Sequence, residues 1–186
     1  MNKFIKEIDK SWTLFLDRDG VINKRIFGGY VKSWDEFEFL PGVLEAISIF
    51  SIIFNRIVIV TNQQGIGKGL MNESQLNTIH KKIIESVSNS GGRIDSIYYC
   101  PDLANKENNC RKPGINMASM AKEDFPDINL IKSIIVGDSV SDIMFGKNAG
   151  MKTILHESEE NIIVDADLKV KSLLEFAHLI KSMNKI

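Results

Sequence analysis

Cysteine is scarce in this chain of 186 residues, and neither sign of charge is in excess. Two cysteines are too few for a disulfide scaffold, and a formal net charge of -1 gives no general attraction to nucleic acid. The longest apolar stretch, residues 47–54, is too short to cross a bilayer, and residues 1–10 hold no apolar core of signal-peptide length. We therefore expect a cytoplasmic monomer with one domain over residues 1–186 and no nucleic-acid or membrane partner.

Repeats and low-complexity tracts are also missing, and short apolar runs alternate with amphipathic segments. This alternation predicts an α/β fold with a doubly wound parallel sheet. Strands are expected near residues 12–17, 56–61, 94–99, 133–137 and 152–155. Helices are expected near Pro41, after Asn72, Pro113 and Val140, and from Ser172. The helix after Asn72 is expected to carry a capping box completed by Gln75.

Two carboxylates come directly after the first predicted strand, in the segment Asp17-Arg18-Asp19-Gly20. Residues 12–16 have the β-branched and aromatic character of a buried strand, so Asp17 falls at the carboxyl end of that strand, where open α/β sheets bind ligands. Asp17 and Asp19 would repel each other unless a cation or a proton lies between them, and a magnesium ion would supply that charge. The alternative is that the acids and the glycine only form a turn.

Three further segments carry polar groups after apolar runs. Residues 57–60 lead into Thr61 and Asn62, and the turn after Asn62 would expose N–H groups suited to phosphate oxygens. Lys112 precedes a proline at a predicted helix start, which adds a cation and a helix amino terminus. Residues 134–137 lead into Asp138, with Asp142 one helical turn later. The four segments together predict a phosphoryl-transfer site.

The same four segments, in this order, resemble the motifs of the haloacid dehalogenase superfamily of phosphohydrolases. The resemblance implies a Rossmann-like doubly wound sheet. The spacings between Asp17, Thr61 and Lys112 leave no room for an inserted cap domain, so an open, capless site is expected. Within the superfamily, residues 16–20, 60–65, 97–101 and 110–113 resemble the small phosphatases that remove the 7-phosphate of D-glycero-D-manno-heptose 1,7-bisphosphate. The histidinol-phosphate phosphatases are close relatives of that family.

The resemblance implies a role for each acid. Asp17 would attack phosphorus and form an aspartyl-phosphate. Asp19 would act first as an acid and then as a base, so it would begin protonated while Asp17 is ionised. Magnesium would be held by the carboxylates of Asp17 and Asp138 and the backbone carbonyl of Asp19, with Asp142 supporting Asp138 from behind.

Other groups would bind the substrate, which the resemblance makes a sugar phosphate. The Thr61 hydroxyl, the Asn62 backbone and the Lys112 ammonium would bind the equatorial oxygens of its phosphate. The residues expected to bind the rest of the substrate are Arg25, Tyr30, Gln63, Gln64 and Arg111. The alternative for residues 23–30 is an ordinary flap with solvated charges.

Three functions are compatible with these residues. The first is hydrolysis of the 7-phosphate of the heptose bisphosphate. The second is the same reaction on histidinol phosphate, a nucleic-acid 3′-phosphate end or another phosphomonoester. The third is a binding or regulatory protein that retains the site without turnover, which the full set of reactive residues disfavours.

The two cysteines depart from the resembled family, many members of which hold zinc with Cys-x-His in one loop and Cys-x-Cys before Arg-Lys-Pro. Only Cys100 and Cys110 remain of these four ligands, and the replacements, Asp102 and Asn108, are oxygen donors that suit zinc poorly beside thiolates. A structural zinc is therefore not expected. We expect two free thiols in a metal-free loop. The alternative is a disulfide, which the spacing allows and a reducing cytoplasm opposes.

Overall fold

A computed structural model describes residues 3–158 and 162–184. Its sheet has six strands: β1 (Thr13–Leu16), β2 (Arg56–Asn62), β3 (Ser96–Cys100), β4 (Ser133–Gly137), β5 (Lys152–His156) and β6 (Leu168–Val170). They lie in the order β3-β2-β1-β4-β5-β6, and every pairing is parallel. The five strands predicted from the sequence are confirmed, with small shifts at their ends. The sequence did not predict β6, because three residues with a central lysine give too short an alternation.

The helices are α1 (Val43–Ile53), α2 (Glu73–Asn89), α3 (Asn116–Asp124), α4 (Val140–Ala149) and α5 (Leu173–Asn184). Short 3-10 turns occupy Lys3–Glu7, Trp34–Glu36 and Leu130–Lys132. Alternate strand residues bury opposite faces of the sheet. Leu14 and Leu16 join the apolar cluster formed with α1, α2 and α5, whereas Phe15 joins the cluster formed with α3 and α4. Helices therefore cover both faces, and the central strands are buried completely, as the doubly wound fold requires.

The predicted capping box begins α2. The Asn72 side chain accepts a hydrogen bond from the Gln75 backbone at 2.9 Å, and the Gln75 side chain accepts one from the Asn72 backbone at 2.9 Å. One helix prediction needs correction. Because α3 begins at Asn116, Pro113 lies before the helix, and Lys112 does not stand at a helix amino terminus.

The sheet brings the predicted site residues to one edge. In register, Leu16 lies beside Ile59 of β2 and Val136 of β4, so the carboxyl ends of the three central strands open on the same side. Between Asp17 and Thr61 the described chain forms a loop, a 3-10 turn, α1 and β2, with no inserted domain. The capless arrangement is therefore confirmed. Among the described residues, no helix has the length and apolar character needed to span a membrane.

Candidate active site

A buried ion-pair cluster lies at the end of β1. The side chain of Asp17 is almost fully buried, and its Oδ1 accepts a hydrogen bond from Lys112 Nζ at 2.6 Å. The same ammonium lies 2.5 Å from Asp142 Oδ1 and donates to the Val60 carbonyl at 2.7 Å. Burial by itself lowers the pKa of Lys112, but the charges of Asp142 and Asp17 outweigh it and raise that pKa above its usual value. Lys112 is therefore a fixed cation between two acids.

Asp142 is held by the start of α4. Its Oδ2 accepts hydrogen bonds from the Ser139 backbone at 3.1 Å and the Ser139 hydroxyl at 2.5 Å, which completes a capping box. Gly137 permits this approach, since a Cβ there would lie 2.0 Å from Asp142 Cβ. One Asp142 oxygen contacts Ser139 and the other contacts Lys112, so Asp142 holds the lysine, whereas the sequence predicted that it would support Asp138.

Three carboxylates converge beside this cluster. Asp17, Asp138 and Asp142 each offer an oxygen within 4.8 Å of the others, and all three side chains are buried. Burial raises the pKa of Asp17 to about 6 although Lys112 opposes the shift. Burial, with the charge of Asp17, raises the pKa of Asp138 to about 8. These three carboxylates are hard oxygen donors, and their negative charges repel one another at this distance. A divalent cation such as magnesium fits such a group.

Glycine at position 20 is required by the same crowding. Gly20 has φ of 98°, and a Cβ there would lie 1.8 Å from Asp138 Oδ2. Both the backbone conformation and the space therefore exclude a side chain at this position. The glycine that comes after the two acids in the sequence lets the β1 loop pass directly against Asp138.

Asp19 is surrounded by hydrogen-bond donors. Arg18, fully buried, donates to both Asp19 oxygens at 3.0 and 2.9 Å, and the amides of Asn23 and Gln63 donate at 3.0 and 2.8 Å. Burial raises the pKa of Asp19, but the charge of Arg18 and these hydrogen bonds outweigh it and lower the pKa below its usual value. The expected protonation of Asp19 is therefore opposed by the protein groups by themselves, which favour the ionised form of this carboxyl.

The residues at the end of β2 correct one further assignment and add one contact. Gln63 was expected to bind substrate, but its side chain is buried and its amide donates to Asp19 and, at 2.8 Å, to the Thr61 hydroxyl. Gln63 therefore orients Asp19. The Asn62 side chain accepts from the Lys112 backbone N–H at 3.0 Å and donates to the Lys112 carbonyl at 3.3 Å. This positioning of Lys112 by the side-chain amide of the last residue of β2 was not expected from the sequence.

Arg25 also lies in a place that the sequence did not predict. It was expected to bind substrate, but its Nη2 donates to Asp138 Oδ1 at 2.7 Å and its Nε donates to the Asp19 carbonyl at 3.2 Å. The guanidinium therefore contacts two of the three groups that were expected to hold magnesium. Its side chain is 29% exposed, because its outer side faces an open cavity.

That cavity has a volume of 530 Å³ and adjoins Asp19. Four of the expected substrate-binding residues line it: Arg25, Tyr30, Gln64 and Arg111. Phe27, Lys68 and Ser141 also line it and were not singled out from the sequence. The Lys68 ammonium lies 5.4 Å from the centre of the Tyr30 ring. A cation inside a glycine-rich loop, residues 63–69, was the signal that could have identified Lys68.

The cysteine loop contradicts the expectation of free thiols. Cys100 and Cys110 form a disulfide, the alternative that their spacing allowed. Asp102 accepts a hydrogen bond from the Cys110 backbone at 3.1 Å and pairs with Lys106 at 2.5 Å. The Arg111 guanidinium donates to the Asp102 carbonyl at 3.2 Å, so the loop tethers a cavity-lining cation. Disulfide sulfurs are not thiolates, and this pairing therefore leaves no thiolate ligand for zinc.

This combination defines a class of enzyme. The parallel sheet places Asp-x-Asp after a central strand and a buried threonine near the end of the neighbouring strand β2. A lysine and further acids lie against the first carboxylate. This is the arrangement of a haloacid dehalogenase phosphohydrolase. The family model described as polynucleotide kinase 3 phosphatase matches residues 14–175.

Comparison with individual proteins shows which phosphatases of the superfamily the chain is similar to. The chain is 38% identical over 170 residues to the D-glycero-alpha-D-manno-heptose-1,7-bisphosphate 7-phosphatase of Mycobacterium tuberculosis, covering 89% of this chain and 90% of the relative. It is 34% identical over 181 residues to the beta-anomer enzyme of Pasteurella multocida, covering 91% and 97%. The structure of the B. bronchiseptica D,D-heptose 1,7-bisphosphate phosphatase, complexed with magnesium and phosphate, superposes with a TM-score of 0.82 at 29% identity, covering 92% and 98%. The chain therefore belongs to the heptose-bisphosphate 7-phosphatase family of the haloacid dehalogenase superfamily, and it is a phosphoric monoester hydrolase.

Proposed function

We propose that this enzyme removes the 7-phosphate of D-glycero-D-manno-heptose 1,7-bisphosphate through a magnesium-dependent aspartyl-phosphate mechanism. The observation that carries the proposal is Asp17, buried at the end of the central strand, with Lys112 Nζ 2.6 Å from its Oδ1 and Asp138 beside it. The names of the relatives support the choice of substrate.

The acids would hold magnesium through the Asp17 and Asp138 carboxylates and the Asp19 backbone carbonyl. When bound, the ion supplies positive charge that draws the nucleophile and the phosphate together and offsets the charge of the buried acids. Asp142 would stay on Lys112 and Ser139, which keeps the ammonium aimed at Asp17.

Asp17 would attack phosphorus, and the bond to the sugar oxygen would break as Asp19 gives that oxygen a proton. Water would then attack the aspartyl-phosphate while Asp19 takes its proton, and Asp17 would be released with inorganic phosphate. The first step needs a protonated Asp19, which Arg18 opposes. An approaching phosphate dianion counters the charge of Arg18 and raises the pKa of a nearby carboxyl, so substrate binding supplies the required protonation.

Two adjoining cavities would bind different parts of the substrate. A small cavity of 60 Å³, lined by Asp17, Thr61, Asn62 and Lys112, opens on the carboxylates. Its size admits only about two water-sized groups, which suits a phosphoryl group and not a sugar. The neighbouring 530 Å³ cavity would take the heptose, with Arg111 and Lys68 available for the 1-phosphate. Because these two cations line the larger cavity and not the smaller one, they would hold the second phosphate away from Asp17 and leave it intact.

The experiment is phosphate release from both anomers of the bisphosphate, compared with histidinol phosphate, a 3′-phosphorylated DNA end and an aryl phosphate, in magnesium or EDTA. We expect a magnesium-dependent preference for one heptose anomer, a product that keeps its 1-phosphate by phosphorus NMR, and no turnover by Asp17→Asn. Equal activity on the bisphosphate and the aryl phosphate would refute the substrate assignment. Turnover that survives Asp17→Asn would refute the mechanism.

A further inference from the structure

The Arg25 guanidinium occupies a position that the mechanism assigns to another cation. It bridges Asp138 Oδ1 at 2.7 Å and the Asp19 carbonyl oxygen at 3.2 Å. Asp138 is 1% exposed, so this ion pair is shielded from water on the carboxylate side. A divalent cation that takes the same two oxygens would meet the guanidinium, and two cations cannot share them without strong repulsion.

The charges of the site support an exchange of one cation for another. Among the described residues, the acids of the site are Asp17, Asp19, Asp138 and Asp142. Arg18 pairs with Asp19, Lys112 pairs with Asp17 and Asp142, and Arg25 pairs with Asp138. Four carboxylates therefore face three cations. With Arg25 withdrawn, a divalent ion brings the formal charge of the cluster to zero, whereas with Arg25 retained the cluster would become positive.

The chain around Arg25 allows the side chain to leave. The preceding residue is fixed, because the Lys24 backbone donates to the Glu38 carbonyl at 2.8 Å. The next four residues, 26–29, are exposed, and Gly28 has φ of 69° with open space around it. The 530 Å³ cavity borders Arg25 on its outer side. A change of side-chain rotamer would therefore carry the guanidinium from the acids into the cavity.

We propose that Arg25 is an exchangeable counter-cation: it neutralises Asp138 in the metal-free enzyme, and magnesium displaces it into the substrate cavity, where it becomes a binding group for the substrate's anionic or hydroxyl groups. This inference rests on the proposed magnesium-dependent function. Arg25 would compete with magnesium for Asp138. The exchange would also account for both contacts of this residue, since Arg25 pairs with Asp138 and lines the cavity proposed for the sugar. Magnesium binding would then also add Arg25 to the residues that bind the substrate in the cavity.

The test measures magnesium binding by titration calorimetry and melting temperature in EDTA or saturating magnesium, without any assay of turnover. Arg25→Gln removes the bridge. Lys24→Gln is the matched control, since it removes the same charge one residue away from a surface pair with Glu38 at 3.7 Å. Arg25→Lys keeps the positive charge but lacks the planar guanidinium that contacts both the Asp138 carboxylate and the Asp19 carbonyl. It therefore distinguishes the effect of the two hydrogen bonds from the effect of the charge alone.

We expect Arg25→Gln to tighten magnesium binding by about fivefold or more, as removal of a competing charge at contact distance requires. Arg25→Lys should also tighten it, by less, and Lys24→Gln should leave it unchanged. The melting temperature of Arg25→Gln should fall in EDTA and match the wild type in magnesium. Unchanged or weaker magnesium binding by Arg25→Gln, or an equal fall in melting temperature with and without the ion, would overturn the inference. Failure of the wild type to bind magnesium would instead overturn the proposed function on which it rests.

Discussion

Replacing Lys112 by glutamine would remove the ammonium that lies between two buried carboxylates. Lys112 Nζ is 2.6 Å from Asp17 and 2.5 Å from Asp142, and its side chain is 2% exposed. Glutamine keeps part of the aliphatic stem but no charge. The perturbation therefore leaves two acids facing each other in a site from which water is largely excluded.

The magnitude of the effect is set by burial. Removing one partner of a buried ion pair destabilises a protein by about 3–5 kcal/mol, because the remaining charge is left uncompensated. For a chain of this size, about 2–4 °C of melting temperature is lost per kcal/mol, so Lys112→Gln should melt about 6–20 °C below the wild type in EDTA at pH 8. At pH 5 the loss should be smaller. The pKa of Asp17, already raised to about 6, rises further without Lys112, and protonation then removes one of the opposing charges.

Calorimetry or circular dichroism in EDTA at pH 5 and pH 8 measures the loss of melting temperature and its dependence on pH. The control is Lys81→Gln, which removes a lysine from an exposed helical pair with Glu85 at 3.8 Å and should cost only about 0–1 kcal/mol. A loss for Lys112→Gln no larger than that of the control would refute the magnitude expected from burial. A loss that is the same at pH 5 and pH 8 would refute the assigned coupling between Lys112 and Asp17.

Three further results are expected. Burial raises the pKa of Asp138 to about 8, so between about pH 6.5 and pH 8 the folded chain keeps a proton that the unfolded chain has released. At lower pH the raised pKa of Asp17 acts in the same direction, but the pKa of His80, lowered to about 3, acts in the opposite direction. Stability in EDTA should therefore fall as the pH rises from about 6.5 to 8, and a rise in melting temperature over this range would contradict the assignment. Gln63→Ala removes a hydrogen bond that orients Asp19, and a misplaced acid loses part of the roughly 10²–10⁴-fold that proton transfer contributes, so kcat should fall while KM changes little; a change confined to KM would restore Gln63 as a substrate contact. The disulfide between Cys100 and Cys110 closes a loop with a sequence separation of 10 and should contribute about 2–3 kcal/mol, and unreduced protein that reacts with iodoacetamide would show that it is open.

The sheet and the meeting of the site residues were predictable because both depend on short-range patterns. Residues 14–16 and 134–136 are continuous apolar runs, and parallel strands bring the residues after each run to one edge. The capping box of Asn72 and Gln75 was equally local. Strand β6 was not predictable, since its three residues are stabilised by pairing with β5 and not by their own pattern.

The errors at the site have a different origin. Whether Gln63 faces the cavity or Asp19 depends on which way a loop turns after β2, and no periodicity records that direction. The ion pair between Arg25 and Asp138 joins residues that are 113 positions apart, so no local sequence pattern indicates it. Cys100 and Cys110 could be thiols or a disulfide from spacing alone, and the expectation of a reducing compartment favoured the wrong state. In each case the deciding interaction is a contact with another segment of the chain.

In the proposed mechanism, the two acids of the motif cannot exchange roles, because their cations are of different kinds. Asp19 is held by donors that belong to the loop itself, Arg18 and Asn23, and by Gln63 from the adjoining loop, so its charge is stabilised before any ligand arrives. Asp17 is almost fully buried, and Lys112 opposes the rise in its pKa that burial causes. The protein groups alone therefore favour an ionised Asp19, and substrate binding must reverse that preference before Asp19 can give a proton. Consequently, the pH dependence of kcat/KM, which reports the free enzyme, should differ from that of kcat, which reports the substrate complex.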